Sequence, residues 1–347
     1  MKRQFLMLAC LLVGAPALAA APQRKETQPP AEKRRAQPCQ GQTPQRNTWP
    51  QGTLLWGSAR KVADNEMSSV LASLDLGRVQ LGGAALKGVR IEDGRLVAPS
   101  LAPEGLAGAL LQGTASDGQP VEVALCGAEP SPDDATMFWY RIEVWNAESA
   151  SWENPCVATN RVSSPRALAV RGVWDETGAR QDKPGKFTFA CENGAIAKCA
   201  DWGYKPWAKK DGRSLADLHQ ACTRMTRADY CGDGRSHTRE DNIIDMYDGL
   251  QLLTRTTEAS ATWNPSQASF EAAWTPDGAS CLARTRDGEA LETILAQCPG
   301  RFEEDPKELG EGDRCRVSRK SGRADAALLR NHSYAKGEQA ILQGTAP

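Results

Sequence analysis

The chain has 347 residues, with 42 Lys plus Arg against 43 Asp plus Glu, so its net charge is close to zero. That balance argues against a nucleic-acid partner, which needs a concentrated basic face. At about 100–200 residues per domain the length points to one or two domains with a core of ordinary size, which the eleven cysteines supplement and do not replace.

Met1-Lys2-Arg3 precedes an apolar run over residues 5–13 and then Ala17-Leu18-Ala19. A basic start, a short apolar core and small residues at a cleavable site make a secretory signal peptide, residues 1–19. Cys10 leaves with it; the alternative is a lipoprotein acylated on Cys10. The run is shorter than the ~20 residues a bilayer requires, and no later segment reaches that length. The mature chain is therefore expected without a transmembrane segment, exported to the periplasm, the outer surface or the medium. Ten cysteines remain: Cys39, Cys126, Cys156, Cys191, Cys199, Cys222, Cys231, Cys281, Cys298 and Cys315. In an oxidising compartment an even set reads as disulfides, whose connectivity the spacing does not reveal.

Residues 20–48 are rich in Pro, Gln and basic side chains and read as a disordered linker, with Cys39 pinning its end to the folded body. Residues 49–156 form a β-rich region. Gly52-Thr-Leu-Leu-Trp-Gly57-Ser-Ala59 resembles Gly108-Ala-Leu-Leu-Gln-Gly113-Thr-Ala115, and Gly83-Ala-Ala-Leu86-Lys-Gly88 is a looser copy; such runs suggest strands with turns at the glycines. Asp93-Gly94 and Asp117-Gly118 are hairpin signals. Strands are expected over 121–126 and 137–145. In the latter, Phe138, Tyr140, Ile142 and Val144 share one face, and Trp139 and Trp145 the other, which suits a central strand of a sandwich or barrel. Those tryptophans read as core fillers, with stacking on a sugar as the functional alternative.

Residues 157–335 form a cysteine-rich region and 336–347 a tail. Residues 167–174 and 186–191 read as strands, the second placing Phe187, Phe189 and Cys191 on one face. A short helix then stacks Ala195 and Cys199 one turn apart. Ser214-Leu-Ala-Asp217 is a capping box for a helix whose Leu215, Leu218, Cys222 and Met225 line one face, with Gly232 and Gly234 as its stop. Residues 270–275 and 280–286 flank Pro276-Asp277-Gly278 as a hairpin. Residues 289–298 read as a helix, 303–313 as a loop and 324–330 as a short helical patch. Asn331-His332-Ser333 fits a glycosylation sequon.

The run Cys191-Glu-Asn-Gly-Ala-Ile-Ala-Lys-Cys199-Ala-Asp-Trp-Gly-Tyr-Lys-Pro-Trp207, then Leu218-His-Gln-Ala-Cys222, Ala228-Asp229-Tyr230-Cys231-Gly232-Asp233-Gly234 and Ser236-His-Thr238, resembles the ADYC-domain family of exported bacterial proteins of myxobacterial type. The resemblance is close over residues 187–248 and looser around Trp274-Thr-Pro-Asp-Gly-Ala-Ser-Cys281. It implies an exported cysteine-rich domain and transfers no mechanism.

These residues offer three chemistries. Asp229, Asp233, Gly234 and Glu240 fall at calcium-loop positions, but Cys231 stands where an oxygen ligand belongs; the competing reading is a disulfide-pinned turn capped by Asp229. His219, Cys222, Cys231 and His237 offer zinc ligands at no standard spacing, and oxidised cysteines bind no zinc. A free cysteine beside His219 or His237 would be a nucleophile with a general base. Carboxylate pairs such as Glu240-Asp241 or Asp245 and Asp248 offer acid–base work that any acidic surface also offers. There is no Gly-x-Ser-x-Gly elbow, phosphate loop or His-Glu-x-x-His. The expected fold is α+β: an antiparallel sandwich or barrel, then a disulfide-stapled half containing helices. The expected role is a non-catalytic recognition or structural module, without cofactor, for an envelope or extracellular ligand; the alternative is a secreted hydrolase or calcium-dependent binder using the Asp229–Glu240 loop. In the first reading Asp229 and the glycines fix the turn, Tyr230 plugs the core and Cys231 staples it.

Overall fold

Alternation with period two dominates the first half, and in the computed structural model it produces a closed barrel. The structure describes residues 35–40, 53–58, 71–159, 161–239, 242–320 and 329–334; the expected signal peptide (1–19), most of the expected linker (20–48) and the expected tail (336–347) lie outside these. Six strands form the barrel: β1 (Ser73–Leu81), β2 (Leu110–Thr114), β3 (Pro120–Pro130), β4 (Phe138–Asn146), β5 (Ala167–Arg171) and β6 (Lys186–Cys191). Each pairs antiparallel with the next, and β6 pairs back with β1 through Leu74↔Phe187, so the six strands close into a barrel, with the short strands Ala84–Ala85 and Ser151–Glu153 added at its rim.

The interior is packed with side chains. Phe138, Tyr140, Ile142 and Val144 point in from β4, and Phe187, Phe189 and Cys191 from β6. The segment from Val89 to Leu106 stops one end of the barrel: Val89, Leu96, Ala98 and Leu106 join this core, and the Tyr140 hydroxyl accepts the Leu96 amide at 2.6 Å. Within that stopper Asp93 and Gly94 take φ of 47° and 77° to turn the hairpin Arg90–Glu92 with Arg95–Val97. The sheet does not end at Cys156, where the β-rich region was expected to stop; β5 and β6 complete it.

The outer face of β4 to β6 is apolar too. Trp139, Leu168, Val170 and Ala190 pack with Trp56, Trp174 and helix α1 (Ala195–Asp201). Trp139 is 3 % exposed beneath the Arg166 guanidinium and fills core. The repeat has two fates. Leu110–Thr114 is a barrel strand, whereas residues 53–58 are no strand and cross the barrel's outside. There the Leu54 and Leu55 carbonyls accept the first amides of α1, those of Ala195 and Ile196. The helix thereby gains acceptors for otherwise orphan donors.

Helix α2 (Ala216–Arg227) is buried on nearly every side. Leu218, Ala221, Cys222 and Met225, with Leu215 before them, face a second sheet; His219 and Gln220 face α1 and Trp174. That second sheet is wholly antiparallel, in the order β7 (Ile244–Asp248), β12 (Leu329–Tyr334), β8 (Ala268–Thr275), β9 (Gly278–Leu282), β11 (Val317–Arg319), β10 (Phe302–Glu304), with helix α3 (Leu291–Gln297) beside it. Four readings are corrected here. The expected box forms only in part: Ser214 ends a two-residue strand and its Oγ accepts the Ala216 amide at 3.2 Å, but the residue at the N-cap is Leu215 and the helix begins at Ala216. The helix stops at Ala228 in the left-handed region, before the glycines. Of the patch expected over 324–330, Leu329 and Arg330 are strand, because β12 is held between β7 and β8, and residues 324–328 lie outside the described residues. Residues 303–313 include the end of β10 and one strand of a small hairpin, Glu308–Gly310.

The fold is thus a β-rich barrel followed by a helix-bearing sheet, with five disulfides: Cys39–Cys126, Cys156–Cys191, Cys199–Cys222, Cys231–Cys298 and Cys281–Cys315. Among the described residues no helix is long and apolar enough to cross a membrane.

Candidate functional site

The densest convergence of side chains lies where α2 ends. A helix terminus leaves carbonyls without partners, and this one is inside the protein. Ala228 at φ 50° turns the chain, and the Ala228 and Asp229 amides return to Met225 and Arg224 carbonyls. The Arg286 guanidinium then donates to the Met225 and Thr226 carbonyls at 2.7 and 3.2 Å, a cation against the negative end of the helix.

Asp229 organises the turn that follows. Its Oδ1 accepts the Gly232 and Asp233 amides at 2.9 and 3.1 Å, and its Oδ2 accepts the Gly234 amide at 3.1 Å and Arg224 Nη1 at 2.5 Å. Both side chains of that ion pair are almost wholly buried. Arg224 also donates to the carbonyls of Pro276 and Thr177, so one guanidinium links the turn, the β8–β9 hairpin and the loop after β5. Gly232 and Gly278 let two turns meet backbone to backbone: a Cβ on Gly232, at φ +72°, would lie 1.8 Å from the Asp277 carbonyl oxygen. Arg319 donates to the Tyr230 and Cys231 carbonyls and Arg301 to that of Cys231.

Tyr230 stacks on Trp274, ring centroids 5.3 Å apart, and its hydroxyl reaches a carboxylate the sequence reading did not single out, Glu271. Glu271 is fully buried. Arg286 Nε and Nη2, Asn331 Nδ2, the Ser333 hydroxyl and the Tyr230 hydroxyl all donate to it, at 2.6 to 3.1 Å. Burial alone would raise the Glu271 pKa, yet the Arg286 charge and these hydrogen bonds hold it below the ordinary carboxylate value. Burial and Glu271 push the Tyr230 phenol well above 10, so it stays a neutral donor. Such a network is stable because every member is satisfied.

The other sequence candidates are dispersed. Asp233 accepts its own loop's Arg235 amide, and Glu240 lies outside the described residues, so the three calcium candidates are not seen together. Cys222 and Cys231 are disulfide-bonded, to Cys199 and Cys298, and present no thiolate to a metal or a substrate. His219 is fully buried, its Nε2 3.0 Å from the Ile196 carbonyl, and burial pushes its pKa down to about 4. His237 Nδ1 lies 3.0 Å from Glu289. Asp245 accepts the amide and hydroxyl of Thr256, while Asp248 accepts the amides of Leu250 and Leu253 and the Tyr204 hydroxyl; both are turn anchors like Asp229. The sequon is overturned: Asn331 is fully buried and its Nδ2 is given to Glu271, leaving no room for a glycan.

Fold and site together define a disulfide-stabilised barrel-and-sheet protein built around an internal polar turn. A family model, the ADYC domain, matches residues 103–288, more than half of the chain, and the protein belongs to the ADYC-domain family. The matched span runs from the barrel stopper through α2 and its turn to just past Arg286. No curated protein and no solved structure matches the chain.

Proposed function

We propose that the protein is an exported, non-catalytic module whose family motif builds a rigid scaffold for recognition or structure at the cell envelope or outside the cell. The observation that carries this reading is the direction of the motif's functional groups. Asp229, Tyr230 and Glu271 all spend their hydrogen-bonding capacity inside the protein, on Arg224, Arg286, Asn331 and backbone amides. A catalytic acid or nucleophile needs a face toward substrate, and these have none. Five disulfides over the span 39–315 support an oxidising destination.

On this reading Asp229 is the internal anion of a turn, and the Asp229–Glu240 segment is no calcium loop. The test is a thermal melt of the mature, secreted protein with excess calcium and with chelator, beside peptide mapping of its cysteines. The expected result is one melting temperature in both conditions and ten paired cysteines. A rise of several degrees with calcium, lost in Asp233→Asn, would replace this reading with the calcium-dependent one, and a free Cys222 or Cys231 would remove its basis.

A further inference from the structure

Eight of the ten described cysteines are buried, and one disulfide differs. Cys39 is exposed and Cys126 half-buried, whereas the other eight described cysteines are no more than 5 % exposed. The exposed bridge is also the one that holds a separate piece of chain, residues 35–40, against the barrel wall. Among the described residues, four other contacts hold that piece. The Cys39 amide donates to Glu143 on β4 at 2.6 Å, and Trp152 Nε1 donates to the Arg35 carbonyl at 3.1 Å. The Arg35 guanidinium lies 5.3 Å over the Trp145 ring and 3.0 Å from the Glu122 carboxylate. The last two are solvated surface contacts of the weak kind. Together they fall short of the cost of ordering six residues of turn-rich backbone.

We propose that Cys39–Cys126 is a redox-operated catch: its reduction frees the segment bearing Arg35 and uncovers the Glu122–Glu143–Trp145 face of the barrel, while the fold stays closed. The reductant is a dithiol. One thiolate attacks the exposed Cys39 sulfur and Cys126 leaves as a thiolate that takes a proton; the second thiol then resolves the mixed disulfide, releasing the Cys39 thiol and an oxidised, cyclic dithiol. Two electrons pass to the protein, and nothing else is consumed. The barrel interior does not depend on this bond, since neither cysteine belongs to the interior core.

The experiment uses the full mature chain under native conditions. Dithiothreitol is titrated in, thiols are trapped by alkylation and peptides are mapped, with amide hydrogen exchange followed in parallel. Cys39 and Cys126 should be trapped at least about tenfold faster than any other cysteine, because attack requires access. Exchange of residues 35–40 should rise about tenfold at the same point, with residues 228–234 unchanged. The Cys39→Ser/Cys126→Ser variant should show the fast exchange without reductant. If another disulfide opens first, or if residues 35–40 keep their protection after Cys39 and Cys126 are reduced, there is no catch. The wild-type titration decides the question even if the variant fails to fold.

Discussion

Asp229→Ala separates a structural turn from a ligand site. In the wild type the Asp229 and Arg224 side chains are 1 % and 4 % exposed and 2.5 Å apart. Breaking a buried pair by removing one partner costs about 3–5 kcal/mol, because the remaining charge stays buried. Three amides also lose an acceptor. Those of Gly232 and Asp233 belong to half-buried residues that water can serve, but Gly234 is buried, which adds about 1 kcal/mol. The sum is about 5 kcal/mol, a large share of the 5–15 kcal/mol typical of a folded domain. With a urea slope near 3 kcal/mol/M the unfolding midpoint should fall by about 1.5 M. Asp229→Asn keeps the Oδ1 acceptor and should lose roughly half as much. Arg224→Met combined with Asp229→Ala removes the orphaned cation, so the double variant should be less destabilised than the two singles summed, by more than about 1 kcal/mol. The assay is urea unfolding under oxidising conditions, followed by near-ultraviolet circular dichroism. A midpoint shift below about 0.3 M for Asp229→Ala, or strict additivity with Arg224→Met, would refute the argument.

Two further outcomes follow from the same geometry. His219 ordinarily titrates near 6.5 and is held at about 4 here by burial. The unfolded chain therefore takes up this proton first, so stability is complete above about pH 6.5 and declines as the pH falls toward 4. The full loss is about 3 kcal/mol at 1.36 kcal/mol per pKa unit, and His219→Gln should flatten the melting temperature across that window. Gly232→Ala sets a Cβ against the Asp277 backbone at a positive φ and should cost more than about 3 kcal/mol, lowering the melting temperature by roughly 6–12 °C. Gly249→Ala, with open space around it, is the control and should shift it by less than about 3 °C.

How much was legible beforehand depended on whether a residue's role was local. The strand β6 was read with its bounds at 186–191, and the inward face of β4 with its four residues, because alternation places side chains on opposite faces wherever a strand lies. The stripe Leu215, Leu218, Cys222, Met225 likewise follows from 3.6 residues per turn. Tyr230 as a core plug was legible from an aromatic beside a cysteine at a helix end, and it is fully buried. Glu271 and Arg286 were passed over. In sequence one is a polar interruption of Phe270-Glu271-Ala272-Ala273-Trp274 and the other a surface-like arginine beyond a strand. The only hint was a carboxylate in the middle of an otherwise apolar strand.

By itself the amino-acid sequence determined the family motif and most element types, since each is written in neighbouring residues. Tertiary structure alone decided that β6 closes on β1, that residues 53–58 cap α1 although they spell nearly the same as a barrel strand, and which cysteines pair. It also decided that Ala228, a residue without a glycine's freedom, ends α2 in the left-handed region, held there by amides returning to Met225 and Arg224. The physical reason is the same in each case. A backbone group or a buried charge must find its partner somewhere, and here the partners of Arg224, Glu271 and the end of α2 include residues tens of positions away in the chain.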